Sequence, residues 1–556
     1  MRTIQDEPIP TSTRPNDGPR RGCDPFVFRH AWVCLTPALL AATVATAATA
    51  VAETNEPPKR SISLQECFQM ALQENLDLRI ERINPFITRL DVELARAGYD
   101  PNFTMTGDHD YAETGGRFFS FDVTNPPPAR TVQLLSDNGV RETDSFTSKI
   151  NGLGPYGLSY ELAGNLTDTR ASTHVFGAQT AGQVPTTARI LSESVGGSVG
   201  LTLTQPLLRN FLTDNTRYSI AIAKNRLKSS ELGLQLQIIN ILTAVEQAYY
   251  QLIFTRESVQ VQAEGLRLAQ RLAGDDRKRV QIGMLPRLDE KQSESQVAAR
   301  QADLSAAQRE LAAAQNSLKG LITASYRDLH DAFLDPTDRL LAEPHGSNLQ
   351  DSWEKGLTER PDLRQAKLDL ERQGITLRYY KNQRLPELNI RGTYGHGASG
   401  DPDREFHDAF GDFASGDKPF WGFGAVFSVP LGNKSARERY RQAKVTSDQL
   451  VLALKKKEQS ILVEIDEAMN SLHTSYDRVQ STSQARAYAE EALNAEQKKL
   501  DSGKSTSFVV LQLQRDLTSA RSEEIRALAD YNKAVAELYR AEGSTLERKH
   551  ITLEVK

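Results

Sequence analysis

Cysteine is scarce: Cys23, Cys34 and Cys67 are the three in 556 residues. The first two fall in an N-terminal segment that reads as a cleavable leader, which leaves Cys67 alone. An exported chain with one cysteine forms no intrachain disulfide, so packing must hold the fold. No cysteine sits in a lipid-attachment pattern. Histidine is sparse too: nine residues, scattered, with no HExxH or other paired spacing, and no phosphate-binding or dinucleotide glycine pattern occurs. The expectation is no enzyme, no cofactor and no metal. A basic stripe interleaved with aromatics is also missing, and the net charge is -5, so no nucleic acid is expected. Beyond the leader no apolar run approaches ~18 residues, so no membrane-spanning helix is expected.

Residues 1–52 carry the leader. Arg14, Arg20, Arg21 and Arg29 precede an alanine-rich apolar run over 31–50, which closes on Ala50-Val51-Ala52. That ending is a cleavage pattern, and it favours a signal peptide over an anchor.

What dominates the rest is a stretch lacking proline. Over 215–282 there is none, and apolar residues recur at helical spacing: Leu232, Leu236, Ile239, Leu242, Val245. At about 1.5 Å per residue this makes a rod on the order of 100 Å long, which must pack lengthwise against other rods. Ile282-Gly283-Met284-Leu285-Pro286 ends it, and a helix of half the length returns over 287–321. The pattern recurs as 436–501, a break at Ser502-Gly503-Lys504, and a return over 505–541. An earlier helix spans 61–97, where Pro85 predicts a kink or short break.

Period-two alternation marks four strands: 101–111, 198–205, 387–395 and 421–429. One face of each is polar or small: Asn102 and Thr104, Thr202 and Thr204, Asn389 and Arg391. The other carries Phe103, Leu201, Ile390 and Phe427. Tyr99, Tyr111, Tyr394, Phe420 and Trp421 stand near strand ends, where an aromatic girdle would sit. Between the first two strands lies a long insert, 112–197. It contains an apparent hairpin, 145–153 and 156–166 around Gly154-Pro155. The sequence leaves open whether that hairpin is an outer decoration or an added strand pair. The second insert is shorter and acidic, with Asp401, Asp403, Glu405 and Asp412.

The halves also match by residue. Leu64-Gln65, Leu72 and Asp77-Leu78-Arg79 correspond to Leu349-Gln350, Leu357 and Asp362-Leu363-Arg364 at one offset. Gly283, Ala307, Ala314 and Leu318 correspond to Gly503, Ala527, Ala534 and Leu538 at another. This is an internal duplication. The expected organisation is a signal peptide over 1–52, a first repeat over 53–321, a connecting segment over 322–346, a second repeat over 347–543 and a tail over 544–556.

Helix, strand, loop, strand, long helix, glycine turn and half-length helix, run twice after a leader, resemble the TolC-like outer membrane efflux protein family. The residues carrying the resemblance are Gln205-Pro206-Leu207-Leu208 and Val429-Pro430-Leu431-Gly432 at the strand-to-helix joints. To these add 282–289 and the closing Asp530-Tyr531-Asn532, Ala534, Leu538 and Ala541-Glu542-Gly543. Four strands cannot close a barrel, and open edges are not viable in lipid, so several chains must pool their strands. The resemblance implies a mainly α fold with a membrane β-barrel. Long helical hairpins would form a periplasmic α-barrel, and four strands per chain, six with the hairpin, would enter a barrel shared by a homotrimer. It implies an outer membrane location with a periplasmic extension. The function implied is a passive exit duct for small molecules or proteins, in a tripartite efflux or type I secretion system. The partners implied are outer membrane lipid, a periplasmic adaptor and an inner-membrane pump. A periplasmic coiled-coil adaptor or scaffold is the rival reading, weakened by the paired strands.

The resemblance also assigns sites. Ile282, Gly283, Met284 and Leu285, with Ser502, Gly503, Lys504 and Ser505, correspond to the periplasmic tips where an adaptor docks. As residues alone, the two glycines are simply helix caps. At the entrance, the acidic ring of better-known members falls here on Val509 and Gln512. Leu500 and Ser505 replace a tyrosine and an arginine of their latch, while Asp289 retains its aspartate. The expectation is a gate closed by apolar contact. The polar strand faces would line the lumen.

Overall fold

The computed structural model describes residues 59–121, 132–176, 187–346, 348–398, 411–413, 415, 416, 418–549 and 551. The leader, Asp401, Asp403 and Glu405 lie outside them.

The chain enters as a short strand β1 (Lys59–Ile62) and two helices, α1 (Leu64–Glu74) and α2 (Leu76–Arg96). Ser63 and Glu66 form a reciprocal capping box that starts α1. The break falls at Asn75, not at Pro85 as the sequence suggests. The Asn75 side chain accepts from Leu78 N at 3.0 Å and donates to the Leu321 carbonyl at 2.9 Å, so it ends one helix and caps the next. Pro85 stays inside α2, buried with Leu78 and Val92 on a stripe of seven-residue spacing. The second half breaks at the matching position, Arg360, between α6 (Leu349–Glu359) and α7 (Pro361–Asn382).

Four long strands follow: β2 (Asn102–Phe121), β3 (Val132–Leu153), β4 (Ser159–Phe176) and β5 (Thr187–Pro206). The second half supplies β7 (Glu387–Ala398) and β8 (Pro419–Ser428). All six form one antiparallel sheet in the order β2-β3-β4-β5-β7-β8. The insert's hairpin therefore lies within the sheet, between the two strands read from alternation. The early strands run well past the alternating segments that announced them.

The rods are α3 (Asn215–Gln281) with α4 (Arg287–Ile322), and α8 (Lys434–Asp501) with α9 (Ser507–Glu542). Next to the sheet, α2, α3, α7 and α8 pack side by side in that order; towards the tips the order is α4, α3, α9, α8. Each edge of the sheet continues into an edge of the helical layer, β2 into α2 on one side and β8 into α8 on the other. No helix among the described residues is long and apolar enough to cross a membrane.

The main core lies around the middle of α3, where Leu242, Val245, Tyr249 and Leu252 meet Ile62, Phe68, Leu318 and Leu334. Cys67 is part of it, and burial pushes its thiol up to about 12, which makes it inert. The connecting segment is tied in: α5 (Tyr326–Leu329) leads to β6 (Phe333–Pro336), which pairs in parallel with β1. Asp338 then accepts from Leu64 N at 2.9 Å and from the Tyr249 hydroxyl at 2.7 Å. The tail also docks. Past Gly543, α10 (Thr545–Arg548) brings Lys549 to within 2.8 Å of the buried Glu246.

Candidate functional site

Both hairpin tips are built alike. Gly283 donates to the Val280 carbonyl (3.0 Å) and Met284 to the Arg279 carbonyl (2.8 Å). Gly503 donates to Leu500 (3.1 Å) and Lys504 to Lys499 (2.9 Å) in the same way. These are paired Schellman turns, with the glycines at φ +77 and +72. An added Cβ at either glycine would meet nothing within 4 Å. Glycine is therefore required for its backbone, and the surrounding space is open.

The tips converge on a shared recess of 440 Å³. Met284, Leu285, Asp289, Gly503 and Ser505 line it, with Ser507 among the others. Ile282 is 69% exposed, and Ser502 and Lys504 are exposed beside it. Ser505 donates to Glu496 at 2.5 Å, within its own hairpin. Lys499 first, and then Ser505, hold the Glu496 carboxyl below its usual range. Val509 and Gln512 do not line the recess. They stand exposed one turn apart on α9, and Asp516 follows on the same strip. Asp289 thus belongs to the recess, and the other two residues expected at the entrance to a separate surface.

Sequence reasoning missed what ties the tips together. Asp276 on α3 is fully buried and accepts from Ser293 of α4 and Ser507 of α9, each at 2.6 Å. Ser507 opens α9, so the carboxylate also sits at the positive end of that helix. Asp276 lies within Asp275-Asp276-Arg277-Lys278, a run that reads as solvated surface; no sequence signal distinguishes it.

The sheet has two unlike faces. Phe103, Ile150, Leu162, Leu201, Tyr394 and Trp421 are successive cross-strand partners along one row, apolar in all six strands. One residue away the row reads Asn102, Asn151, Glu161, Thr202, Thr393 and Gly422, polar or small throughout. On that polar face a recess of 530 Å³ is lined by Asn102, Thr202, Thr204, Asn389 and Arg391. Thr104 shares the face, and its hydroxyl accepts from Asn102 at 3.4 Å. Tyr394 and Trp421 sit within the apolar row rather than at a rim. Phe420 lies on the polar face, against Gly200 and Gly395. Tyr111 donates to Glu113 beyond the apolar rows, and Tyr99 sits in the turn before β2.

The sequence model of the outer membrane efflux protein family matches residues 171–324 and 354–544. The chain belongs to this family. Pyoverdine export outer membrane protein OpmQ of Pseudomonas putida is 23% identical over 325 residues, 58% of this chain and 65% of that one. The chain thus spans about two thirds of that relative's length. Solved channels of the family share the fold. The CmeC outer membrane channel of Campylobacter jejuni superposes with TM-score 0.60 at 14% identity, over 87% of this chain and 86% of that one. The outer membrane protein VceC of Vibrio cholerae gives 0.58 at 14%, over 86% and 96%.

Proposed function

We propose that this outer membrane efflux protein is the exit duct of an export machine, closed by three copies of the chain. The observation that carries the reading is a sheet with one apolar and one polar face, both edges open, standing on a helical layer with the same two edges. Joining the β2–α2 edge of one copy to the β8–α8 edge of the next is a head-to-tail contact, and such contacts close into a ring.

The edge helices support that contact. On α2, Leu76, Ile80, Ile83, Ile87, Leu90 and Leu94 alternate at spacings of four and three and are 48–71% exposed. This is a heptad seam on the side away from the Leu78, Pro85 and Val92 stripe. On α8, Val445, Leu452 and Val463 are exposed at spacings close to whole helical turns. A second copy covers both. The apolar sheet face then meets outer membrane lipid, and the polar face lines the lumen. The rival adaptor reading has no use for a sheet of this kind. The name of OpmQ points to a small exported molecule as the cargo class.

The tips would receive a periplasmic adaptor that links the duct to an inner-membrane pump. Gly503→Leu tests this. A side chain fits the open space but must hold positive φ, a strain of about 1–2 kcal/mol confined to the turn. Trimer levels should stay near wild type, while crosslinking to the adaptor from a photoreactive residue at Met284 falls and export drops with it. Normal crosslinking and normal export would remove the docking role.

At the entrance, Val509 and Gln512 give multivalent cations no carboxylate ring to bind. In planar bilayers a trivalent cation on the periplasmic side should block conductance weakly, and strongly after Val509→Asp with Gln512→Asp. Tight block of the native protein would transfer the gate to Asp516.

A further inference from the structure

The resemblance implies twelve strands in the shared barrel, four from each of three chains. Each chain here has a six-stranded sheet. The extra pair, β3–β4, matters only if it stays in the plane of the barrel wall and faces lipid as its neighbours do.

Three observations place it there. First, the pairing is continuous. β3 holds β2 from Asn102↔Asn151 to Phe121↔Val132, and β4 holds β5 from Ser159↔Thr204 to Phe176↔Thr187. The pair thus bridges β2 and β5 along nearly their whole length.

Second, both faces continue across it. Ile150 and Leu162 carry the apolar row from Phe103 to Leu201, while Asn151 and Glu161 carry the polar row from Asn102 to Thr202. The apolar rows run from Ile390 up to Phe146 and Leu166, about eight residues, or roughly 27 Å at ~3.4 Å each. At a tilt of about 40° that is about 21 Å, close to the ~25 Å apolar band of outer membrane barrels. Above it the same face turns charged in the hairpin and its neighbours together. His109 meets Asp144 at 2.6 Å, and Arg170 meets Glu193 at 3.0 Å.

Third, the hairpin's turn is fixed at the helical end of the sheet. Tyr156 takes φ 66, its carbonyl accepts from Gln205 Nε2 at 3.0 Å, and the Arg217 guanidinium lies 5.1 Å from its ring centroid. A Cβ on Gly157 would come within 2.7 Å of the Asn210 carbonyl, so the turn is seated closely on the β5–α3 joint.

We propose that β3–β4 is a third membrane-facing strand pair whose outer side chains meet acyl chains, so that three chains make an eighteen-stranded barrel. The proposal rests on the trimeric duct above. Barrel diameter grows roughly in proportion to strand number, so the barrel is about half again as wide as a twelve-stranded one. A bulkier cargo could then leave through the outer membrane than a twelve-stranded exit passes.

The test uses the full-length protein reconstituted in lipid nanodiscs. Electron cryo-microscopy should count eighteen strands in a trimer; a trimer with any other count overturns the proposal. Single cysteines carrying spin labels separate this from the assembly question. Labels at Ile150→Cys and Leu162→Cys should respond to oxygen dissolved in the lipid, and those at Lys149→Cys and Ala163→Cys to a water-soluble nickel chelate, each contrast several-fold. Cys67 is buried and takes no label. Water access at all four positions overturns the hairpin's membrane role even in an intact trimer. A particle that is not a trimer, with the label contrast intact, removes the trimeric duct and the count of eighteen but leaves the lipid-facing pair.

Discussion

Ile83→Glu combined with Ile87→Glu is expected to turn the proposed trimer into monomers while each protomer keeps its fold. Both side chains project from α2 into solvent in the single chain, at 54% and 49% exposed, so their loss removes nothing from the protomer core. The inward stripe of Leu78, Pro85 and Val92, which packs α2 onto α3, is untouched. In the ring the two isoleucines would be buried against α8 of the next copy. Losing them costs about 3–6 kcal/mol per interface, at roughly 1.5–3 kcal/mol for each side chain. Two carboxylates placed in an apolar seam add desolvation to that loss. Association should weaken by about 100-fold to 10,000-fold, since each 1.4 kcal/mol is about tenfold. Sedimentation in detergent reads the outcome, and helical circular dichroism checks the protomer. Arg89→Glu, off the seam on the same helix, should leave the trimer intact. A double variant that still sediments as a trimer would move the subunit contact away from α2.

The rods were legible because their physics is local. A helix with one buried stripe writes its period into the chain, and the expected 215–282 differs from Asn215–Gln281 by one residue. Strands were legible only within the apolar band, where one face meets an apolar environment and alternation follows. Beyond His109 and Glu193 the regular alternation stops: adjacent Ile190 and Leu191 in β5 point to opposite faces, so these extensions carry no period to read. The hairpin could be seen but not placed, because Ile150 and Leu162 acquire their meaning from Phe103 and Leu201 on strands far away in sequence. The same holds for β1 and β6, four residues each, which are strands only because they pair. Pro85 misled because a proline's effect depends on its surroundings, and packing on α3 keeps α2 continuous through it. At the tips, glycine announced the turns. Asp276 stayed hidden because burial is a property of three helices meeting. The α2 seam was present in the sequence, yet an apolar heptad reads as core until the structure shows it facing outward.

The largest loss of stability should come from Arg360→Met, at the joint between α6 and α7. The guanidinium is nearly buried and makes four connections. It takes both Asp362 oxygens at 3.0 and 2.8 Å, Glu464 at 2.7 Å, and the Ala541 carbonyl at 3.0 Å. Gly543 approaches the Arg360 backbone to where a Cβ would sit at 3.2 Å, so the joint also anchors the end of α9. Burial alone would raise the Asp362 carboxyl, but bonds from Arg360 and Lys457 outweigh it and hold the group well below the ordinary carboxylate range. Methionine fills the volume but leaves two carboxylates short of a partner and a carbonyl without its donor. Removing one member of a buried ion pair costs about 3–5 kcal/mol, and that is the loss expected at neutral pH. The pH dependence follows from the direction of the shift. A carboxyl with a depressed folded value contributes stability that is full above its unfolded value, near 3.9, and is lost as pH falls through the folded one. The gap between native protein and variant should therefore be widest at pH 7 and begin to narrow below about pH 4, where Asp362 of the variant, without Arg360, takes up a proton while the native carboxyl stays ionised. Denaturant melts followed by helical circular dichroism at pH 7 and pH 3.5 measure both. Arg360→Lys should fall between, because one ammonium cannot hold Asp362 through two bonds and Glu464 at once. An equal loss at the two pH values would mean that Arg360 acts through packing alone.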